Sequence, residues 1–93
     1  MGESVNDMTS EEKPLFTTRE EALQAPGEIY EHFKGGIYRL VQRGVRDSES
    51  HEERGVIYEH LWPHQHDFWF RLEKSFFENL DNGEPRFKLI KKD

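Results

Sequence analysis

The feature of this sequence that most constrains its fold is a series of short segments in which apolar residues alternate with polar ones. Eleven of the twelve Phe, Tyr and Trp residues follow Gly27. Alternation with a period of two is typical of strands that bury one face. Turn signals such as Lys34-Gly35-Gly36 and Asp81-Asn82-Gly83 separate the segments. The pattern predicts five strands, which lie over Glu28–Phe33, Ile37–Val45, Gly55–Trp62, Asp67–Arg71 and Arg86–Lys91.

Five short strands within residues 27–93 predict an all-β domain. We expect a small, strongly bent barrel with a short helical turn over 73–80, because closure removes exposed sheet edges. The apolar positions of the alternation form the predicted core, which comprises Ile29, Phe33, Tyr38, Leu40, Val56, Tyr58, Phe68, Phe70, Phe76, Phe87 and Leu89. So small a domain needs each of these side chains to fill its interior. We therefore expect any functional site to lie on the surface.

Residues 1–26 differ from the rest in composition and form a predicted acidic, flexible tail. The first 25 residues hold six acidic and two basic residues, a net charge of −4. Thr18 and Glu21 have capping-box spacing and Pro26 follows, which predicts a short helix over 19–25. The first dozen residues offer little to bury, so we expect them to be disordered. Any order in this tail would come from docking on the domain.

Composition excludes several classes of protein. The chain has a net charge of −6 and no cysteine. The absence of cysteine excludes disulfide scaffolds and thiol catalysis. No apolar run approaches the roughly 18 residues of a transmembrane helix. Without a hydrophobic signal core we expect a cytoplasmic protein, and the acidic charge makes nucleic acid an unfavourable partner.

Several short motifs occur in a fixed order between residues 27 and 87. They begin with His32-Phe33-Lys34-Gly35, continue through Val56-Ile57-Tyr58 and Trp69-Phe70-Arg71, and end with Arg86-Phe87. In order and spacing they resemble the domain of unknown function family 1653, a group of small bacterial proteins. The resemblance implies an SH3-like barrel and brings no established activity.

The polar residues within and between these motifs form the first candidate site, which comprises Lys34, Ser48, Glu49, Tyr58, Arg71 and Arg86. Two guanidinium groups at one end of a barrel would bind a carboxylate or phosphate through paired hydrogen bonds. In the alternative interpretation, Arg71 or Arg86 pairs with Glu49 and clamps the loop to the barrel. The first interpretation predicts a non-enzymatic binding domain for an anionic small molecule or a protein segment.

The loop between the third and fourth predicted strands is a second candidate site. The site comprises His64 and His66 of this loop, His60 near the end of the third predicted strand and Asp67 at the start of the fourth. Imidazole and carboxylate groups suit zinc, nickel or copper, so the alternative function is a metal-binding or metal-dependent hydrolytic protein. The simpler interpretation is an exposed loop in which His66 and Asp67 cap the next strand. Structural metal sites usually include cysteines, so we expect no metal and no cofactor.

Ser48, Glu49 and His51 together resemble the components of a nucleophilic site. All three lie in one loop, whereas hydrolytic triads bring residues together from separate segments. We expect this loop to cap its own backbone, and we predict no catalytic residue.

The partner of this domain is not specified by any single motif. Trp62 and Trp69 are candidates for surface aromatics that bind a Pro-rich peptide or a methylated cation, or that form a contact between subunits. Association with RNA or the ribosome is a further alternative, opposed by the charge of −2 on residues 27–93. We expect a monomer or a weak homodimer with an unknown small-molecule or protein ligand and no membrane partner.

Overall fold

The computed structural model describes residues 13–92. The elements in this part of the chain are α1 (Arg19–Leu23), β1 (Glu28–His32), β2 (Ile37–Arg46), β3 (Arg54–Trp62), β4 (Phe68–Leu72), α2 (Glu73–Phe76) and β5 (Phe87–Lys92). The prediction of a mostly β protein is confirmed. Neither described helix is long and apolar enough to cross a membrane. The predicted disorder of the first dozen residues lies outside the described residues.

All five strands belong to one antiparallel sheet with the order β4-β3-β2-β1-β5. The register shifts between Ile29 and Tyr30, and again along β2 on both sides of Gln42. Such irregularities bend a strand and increase its twist. Among residues 13–92 no pairing joins β4 to β5. The closed SH3-like barrel therefore stays a prediction.

One face of the sheet packs against the segment that precedes it. The buried residues on this face are Ala22, Ala25, Ile29, Ile37 and Leu61, with Phe16, Leu23 and Trp62 packed around them. Helix α1 starts where the sequence predicts, because Thr18 Oγ1 accepts a hydrogen bond from the Glu21 N–H at 3.1 Å. The helix turns Ala22 toward the sheet and covers an apolar surface that would otherwise face water.

Backbone hydrogen bonds also join the segment before α1 to the sheet. The Phe16 N–H donates to the Leu61 carbonyl at 3.1 Å, and the His66 N–H donates to the Lys13 carbonyl at 3.0 Å. The sequence predicts a flexible tail through residue 26, in which any order would come from docking on the domain. In the structure Phe16 and Leu23 pack with the buried Ala22 and Ala25 beside the sheet.

The opposite face of the sheet carries an aromatic core. Its buried residues are Tyr30, Val56, Tyr58, Phe76 and Phe87, with Tyr38 and Leu40 partly buried beside them. Phe76 stacks on Phe87 with ring centroids 4.1 Å apart. Helix α2 is only one turn long, and its contribution is to insert Phe76 into this core. The two faces thus have separate clusters of buried residues.

Four members of the predicted core are exposed, namely Phe33, Phe68, Phe70 and Leu89. For three of them the reason is position in the sheet. Phe68 and Phe70 lie on β4 and Leu89 lies on β5, the two outer strands, which have a neighbour on one side only. Alternation identifies a strand but does not reveal its place in the sheet. The prediction that these four residues are buried is wrong.

Candidate functional site

A groove opens on the aromatic face of the sheet, across β2, β3 and β4. One cavity of about 380 Å³ is lined by Tyr38, Tyr58, His60, His64, Trp69 and Arg71. An adjacent cavity of about 620 Å³ shares three of these residues and extends over Pro63, Gln65 and Asp67. We refer to the two cavities together as the groove. Both are open to solvent, so the groove is a surface site.

The register of the sheet assembles the groove from three strands. Tyr38 of β2 lies opposite His60 of β3. Tyr58, two residues before His60, lies opposite Trp69 of β4. Residues that are opposite each other, or two apart on one strand, project to the same side of a sheet. Arg71, two residues after Trp69, therefore joins the same side.

Arg71 provides the positive charge of the groove. Its Nη1 donates to Ser75 Oγ at 3.1 Å, and its Nε donates to Tyr58 Oη at 3.5 Å. The guanidinium also lies over the ring of Phe87, 5.6 Å from the centroid. No carboxylate within residues 13–92 lies at ion-pair distance from Arg71. Neutral groups thus orient a cation whose charge the described part of the chain leaves unbalanced.

His60 forms the inner wall of the groove and is 5% exposed. Its ring stacks on Tyr38 with centroids 4.4 Å apart, and the ring of His64 lies 5.0 Å away. Within the described residues its Nε2 has no hydrogen-bond partner. Burial, together with the neighbouring His64, lowers the pKa of His60 to about 4. The imidazole is therefore neutral at pH 7 and adds no charge to that of Arg71.

Gly36 allows the turn after β1 to approach this wall closely. A Cβ atom at position 36 would lie 3.0 Å from the Tyr38 ring and 3.3 Å from His60 Nε2. Both distances are shorter than ordinary van der Waals contact, so a side chain here would push the stacked rings apart. The glycine thus helps to fix the position of the Tyr38–His60 stack.

The other predicted cations lie outside the groove. Arg86 pairs with Glu78, its Nε 3.0 Å from Glu78 Oε2, so its charge is already balanced. Lys34 is exposed to solvent, and neither residue lines either cavity. All three cations nevertheless act on one neighbour. Burial first, and then the charges of Arg71, Arg86 and Lys34, lower the pKa of His32.

Ser48 and Glu49 lie in the loop between β2 and β3, away from the groove. The Glu49 N–H donates to Asp47 Oδ1 at 2.9 Å, as expected of a loop that caps its own backbone. His51 Nε2 lies 3.0 Å from the carbonyl oxygen of Ser48, so the imidazole contacts the backbone. The two arginines of the predicted site bind other partners, and no clamp between either of them and Glu49 forms.

The residues of the predicted metal loop are divided between two surfaces. His60 and His64 line the groove, whereas His66 Nε2 lies 2.7 Å from Oε2 of Glu59, whose side chain projects to the opposite face. Asp67 Oδ1 accepts a hydrogen bond from the next N–H at 2.8 Å, which is the cap that the sequence suggests. No group of three His, Cys, Asp or Glu residues within 13–92 could hold a metal ion.

Of the six predicted ligand-binding residues, Tyr58 and Arg71 line the groove. The sequence predicts Tyr38 in the core and offers the histidines only as the alternative metal site. The alternation of Tyr58 and His60 on β3 already showed that these two share a face. Their contact with Tyr38 and Trp69 depends on the register of three strands. Bulges in β2 shift that register.

Comparison with known proteins gives this chain a family but no activity. Searches found no curated protein and no solved structure that matches it. A family model described as Protein of unknown function (DUF1653) matches residues 28–89. The matched segment contains every residue of the groove and ends within β5. Because the match covers more than half of the chain, this protein belongs to the DUF1653 family of proteins of unknown function.

Proposed function

We propose that this protein acts by binding, without catalysis, and that its ligand presents an anionic group to Arg71 in the groove. The observation that carries the proposal is a positive charge with no carboxylate partner in residues 13–92, held at an open aromatic surface. Guanidinium groups bind carboxylates and phosphates through charge-assisted hydrogen bonds. A free carboxylate or phosphate would supply the countercharge that the described residues lack.

The walls of the groove favour a ligand with a flat apolar part beside its charge. Trp69 is 53% exposed, and Tyr38 stands across the groove from it. Aromatic surfaces bind planar groups by stacking and exclude water from them. An aromatic carboxylate has this chemistry, and so does a protein segment with an acidic residue next to an aromatic one. The two sources share the carboxylate and the ring.

Arg86 has a smaller role in this proposal than the sequence suggests. An anion that bound Arg86 would have to compete with Glu78, which already pairs with it. Arg86 and Lys34 lower the pKa of His32, but His32 lies outside the groove and neither cation lines it. We therefore assign direct contact with the ligand to Arg71 alone.

A titration with small probes tests the proposal. We expect benzoate to shift the NMR signals of the Trp69 indole and the Arg71 side chain, and benzamidine, a cation of similar shape, to leave them unchanged. Arg71→Gln should weaken benzoate binding by about tenfold or more, because it removes a charge-assisted hydrogen bond. Inorganic phosphate, measured in parallel, shows how much the anion contributes without the ring.

Arg86→Gln is the matched control, because it removes the same charge from an arginine that is already paired. This variant should keep most of the benzoate affinity. Thermal melting checks that both variants fold. Equal losses in the two variants would show a diffuse field in place of a site at Arg71. Shifts that avoid the groove altogether would overturn the proposal.

A further inference from the structure

Strand β4 forms one end of the sheet, and its outer edge is open. Within residues 13–92 it pairs with β3 only. The His60 N–H donates to the Asp67 carbonyl, and Trp69 and Arg71 continue that hydrogen-bonded alternation along β3. The main-chain groups of Phe68 and Phe70 therefore point away from the sheet. The Phe68 N–H donates to Asp67 Oδ1 at 2.8 Å, whereas the Phe68 carbonyl and both main-chain groups of Phe70 are available to another strand.

The side chains around this edge are large, apolar and exposed. Phe68 is 54% exposed, Trp69 is 53% exposed and Phe70 is 40% exposed. Because consecutive side chains project to opposite faces, both surfaces of β4 carry exposed aromatic rings. An open edge with exposed aromatics favours association unless charges or proline protect it. The strand contains no proline, and its flanking charges have opposite signs.

The order of residues along the edge is self-complementary. Residues 67–71 read Asp-Phe-Trp-Phe-Arg, which places an acid and a base at equal distances from Trp69. An antiparallel pair of such segments, centred on Trp69, would set the acid of each against the base of the other. Each Phe68 would lie opposite the Phe70 of the second copy. In this pairing Phe68 and Phe70 of the two copies exchange main-chain hydrogen bonds, and the Phe68 N–H leaves Asp67 Oδ1 for the Phe70 carbonyl of the second copy.

We propose that two copies of this chain associate through β4 as an antiparallel pair, with the two-fold axis at Trp69. The arrangement is a closed two-fold contact, because each copy uses the same patch and no free edge remains at β4. Cross-strand aromatic pairs and two Asp67–Arg71 ion pairs stabilise it. A contact of two short strands buries less surface than a permanent dimer, so the association is weak and depends on concentration.

This proposal shares Arg71 with the anion site but does not depend on it. In the dimer, Asp67 of the second copy supplies the carboxylate that Arg71 lacks. A free anion in the groove then competes with the second copy, so benzoate should favour the monomer. The two proposals fail separately, because Asp67→Asn should weaken the dimer, retains an oxygen for the cap on the Phe68 N–H in the monomer, and leaves Arg71 in place. Loss of a carboxylate from the lining of the groove should not weaken the binding of an anion there.

Single cysteines test the register directly, since the chain has no cysteine of its own. In the proposed pair the two Trp69 Cα atoms lie about 4.5 Å apart, within reach of a disulfide. Two Phe68 or two Phe70 residues would lie about 8 Å apart, beyond that reach. In the full chain under mild oxidation, Trp69→Cys should cross-link at least about tenfold faster than Phe68→Cys or Phe70→Cys. Fastest cross-linking through position 70, or equal rates at all three, would refute the register.

Charge reversal tests the ion pairs without a cross-link. Asp67→Arg alone and Arg71→Asp alone each place like charges opposite each other twice, and sedimentation should show about tenfold weaker association. The double variant restores opposite charges and should recover dimer formation, which a merely structural role for either residue would not produce. Thermal melting identifies a variant that has lost its fold. A wild-type chain that stays monomeric at millimolar concentration, or a double variant no better than the singles, overturns the proposal.

Discussion

The two faces of the sheet differ in how their buried polar and charged groups are paired. On the face covered by α1, apolar residues are sealed, and the buried carboxylate of Glu59 binds both Arg39, at 2.8 Å, and His66, at 2.7 Å. On the aromatic face, His60 is buried without a partner for Nε2, and Arg71 has no carboxylate among the described residues. On the first face the buried carboxylate is paired, whereas on the second, within residues 13–92, His60 Nε2 has no partner and no carboxylate balances the charge of Arg71.

This contrast suggests which face of the sheet binds a partner. Unsatisfied polar groups reduce stability, and proteins retain them mainly where they serve a binding or chemical role. Both groups lie in one groove, whereas on the covered face Glu59 is paired with Arg39 and His66. The covered face therefore stabilises the sheet, and the aromatic face is the one that we expect to meet a partner. Three experiments test this division, from the largest expected effect to the smallest.

The largest effect should come from Leu61→Ala, which removes a fully buried side chain beneath α1. We expect the free energy of unfolding to fall by about 2–5 kcal/mol, through lost burial and a residual cavity. Leu89→Ala is the matched control, because the same substitution acts on a side chain that is 45% exposed. Urea denaturation compares the two. Similar losses at both positions would contradict the division between the sealed face and the outer strand.

Glu59→Gln should have the next largest effect. The variant keeps the shape of the side chain but leaves Arg39 without its countercharge, at a cost of about 1.5–3 kcal/mol at pH 7. Burial raises the pKa of Glu59, but hydrogen bonds from Arg39 and His66 outweigh it, and the net shift is downward. The stabilisation is thus present above the ordinary pKa of glutamate and is lost as pH falls through the lower, folded value.

Denaturation at several pH values checks this prediction. The difference between Glu59→Gln and the wild-type protein should shrink as pH falls below the ordinary pKa of glutamate, about 4.3, because the unfolded chain then binds a proton that the folded carboxylate resists. Glu53→Gln is the control, because its partner Lys74 is 72% exposed and such surface pairs contribute about 1 kcal/mol or less. A difference that does not vary with pH would show that the pair is not the source of the stability.

His60→Phe should have the smallest effect at pH 7 and a clear one in acid. The pKa of His60 is about 4 in the folded chain and about 6.5 in an unfolded one, so protons favour unfolding as pH falls. Between pH 7 and pH 5 this residue should lower the free energy of unfolding by about 2 kcal/mol. Phenylalanine keeps the stack on Tyr38 and should remove that loss. His51→Phe, in the exposed hairpin loop, is the control. In that variant the free energy of unfolding should still fall between pH 7 and pH 5.

Much of the fold could be predicted, because it depends on local pattern. Alternation and turn residues located the strands, and Thr18 marked the start of α1. The burial of individual residues could not be predicted in the same way. Phe68 and Leu89 have the composition of core residues, but they lie on outer strands, and strand order is a property of the whole sheet. Ala25 is buried although nothing in its neighbourhood distinguishes it.

The candidate site was predictable only in part, for a related reason. Arg71 and Arg86 look equivalent in sequence, and the structure distinguishes them by their partners. Glu78 lies across a short turn from Arg86, eight residues away in the chain, and pairs with it. The surroundings of Arg71 could not be inferred from spacing, because Tyr58 and His60 meet it through the register of separate strands. Contacts across a turn join residues close in sequence, whereas contacts across a sheet join residues far apart in sequence.

The segment that the family model matches is shorter than the segment that folds. The match begins at Glu28, whereas the cover of Ile29, Ile37 and Leu61 begins well before it. A fragment trimmed to the matched residues would open that surface to water and would associate through it by non-specific hydrophobic contact. Self-association measured on such a fragment would reflect the apolar surface that trimming exposes. Self-association of this protein should therefore be measured on the full chain.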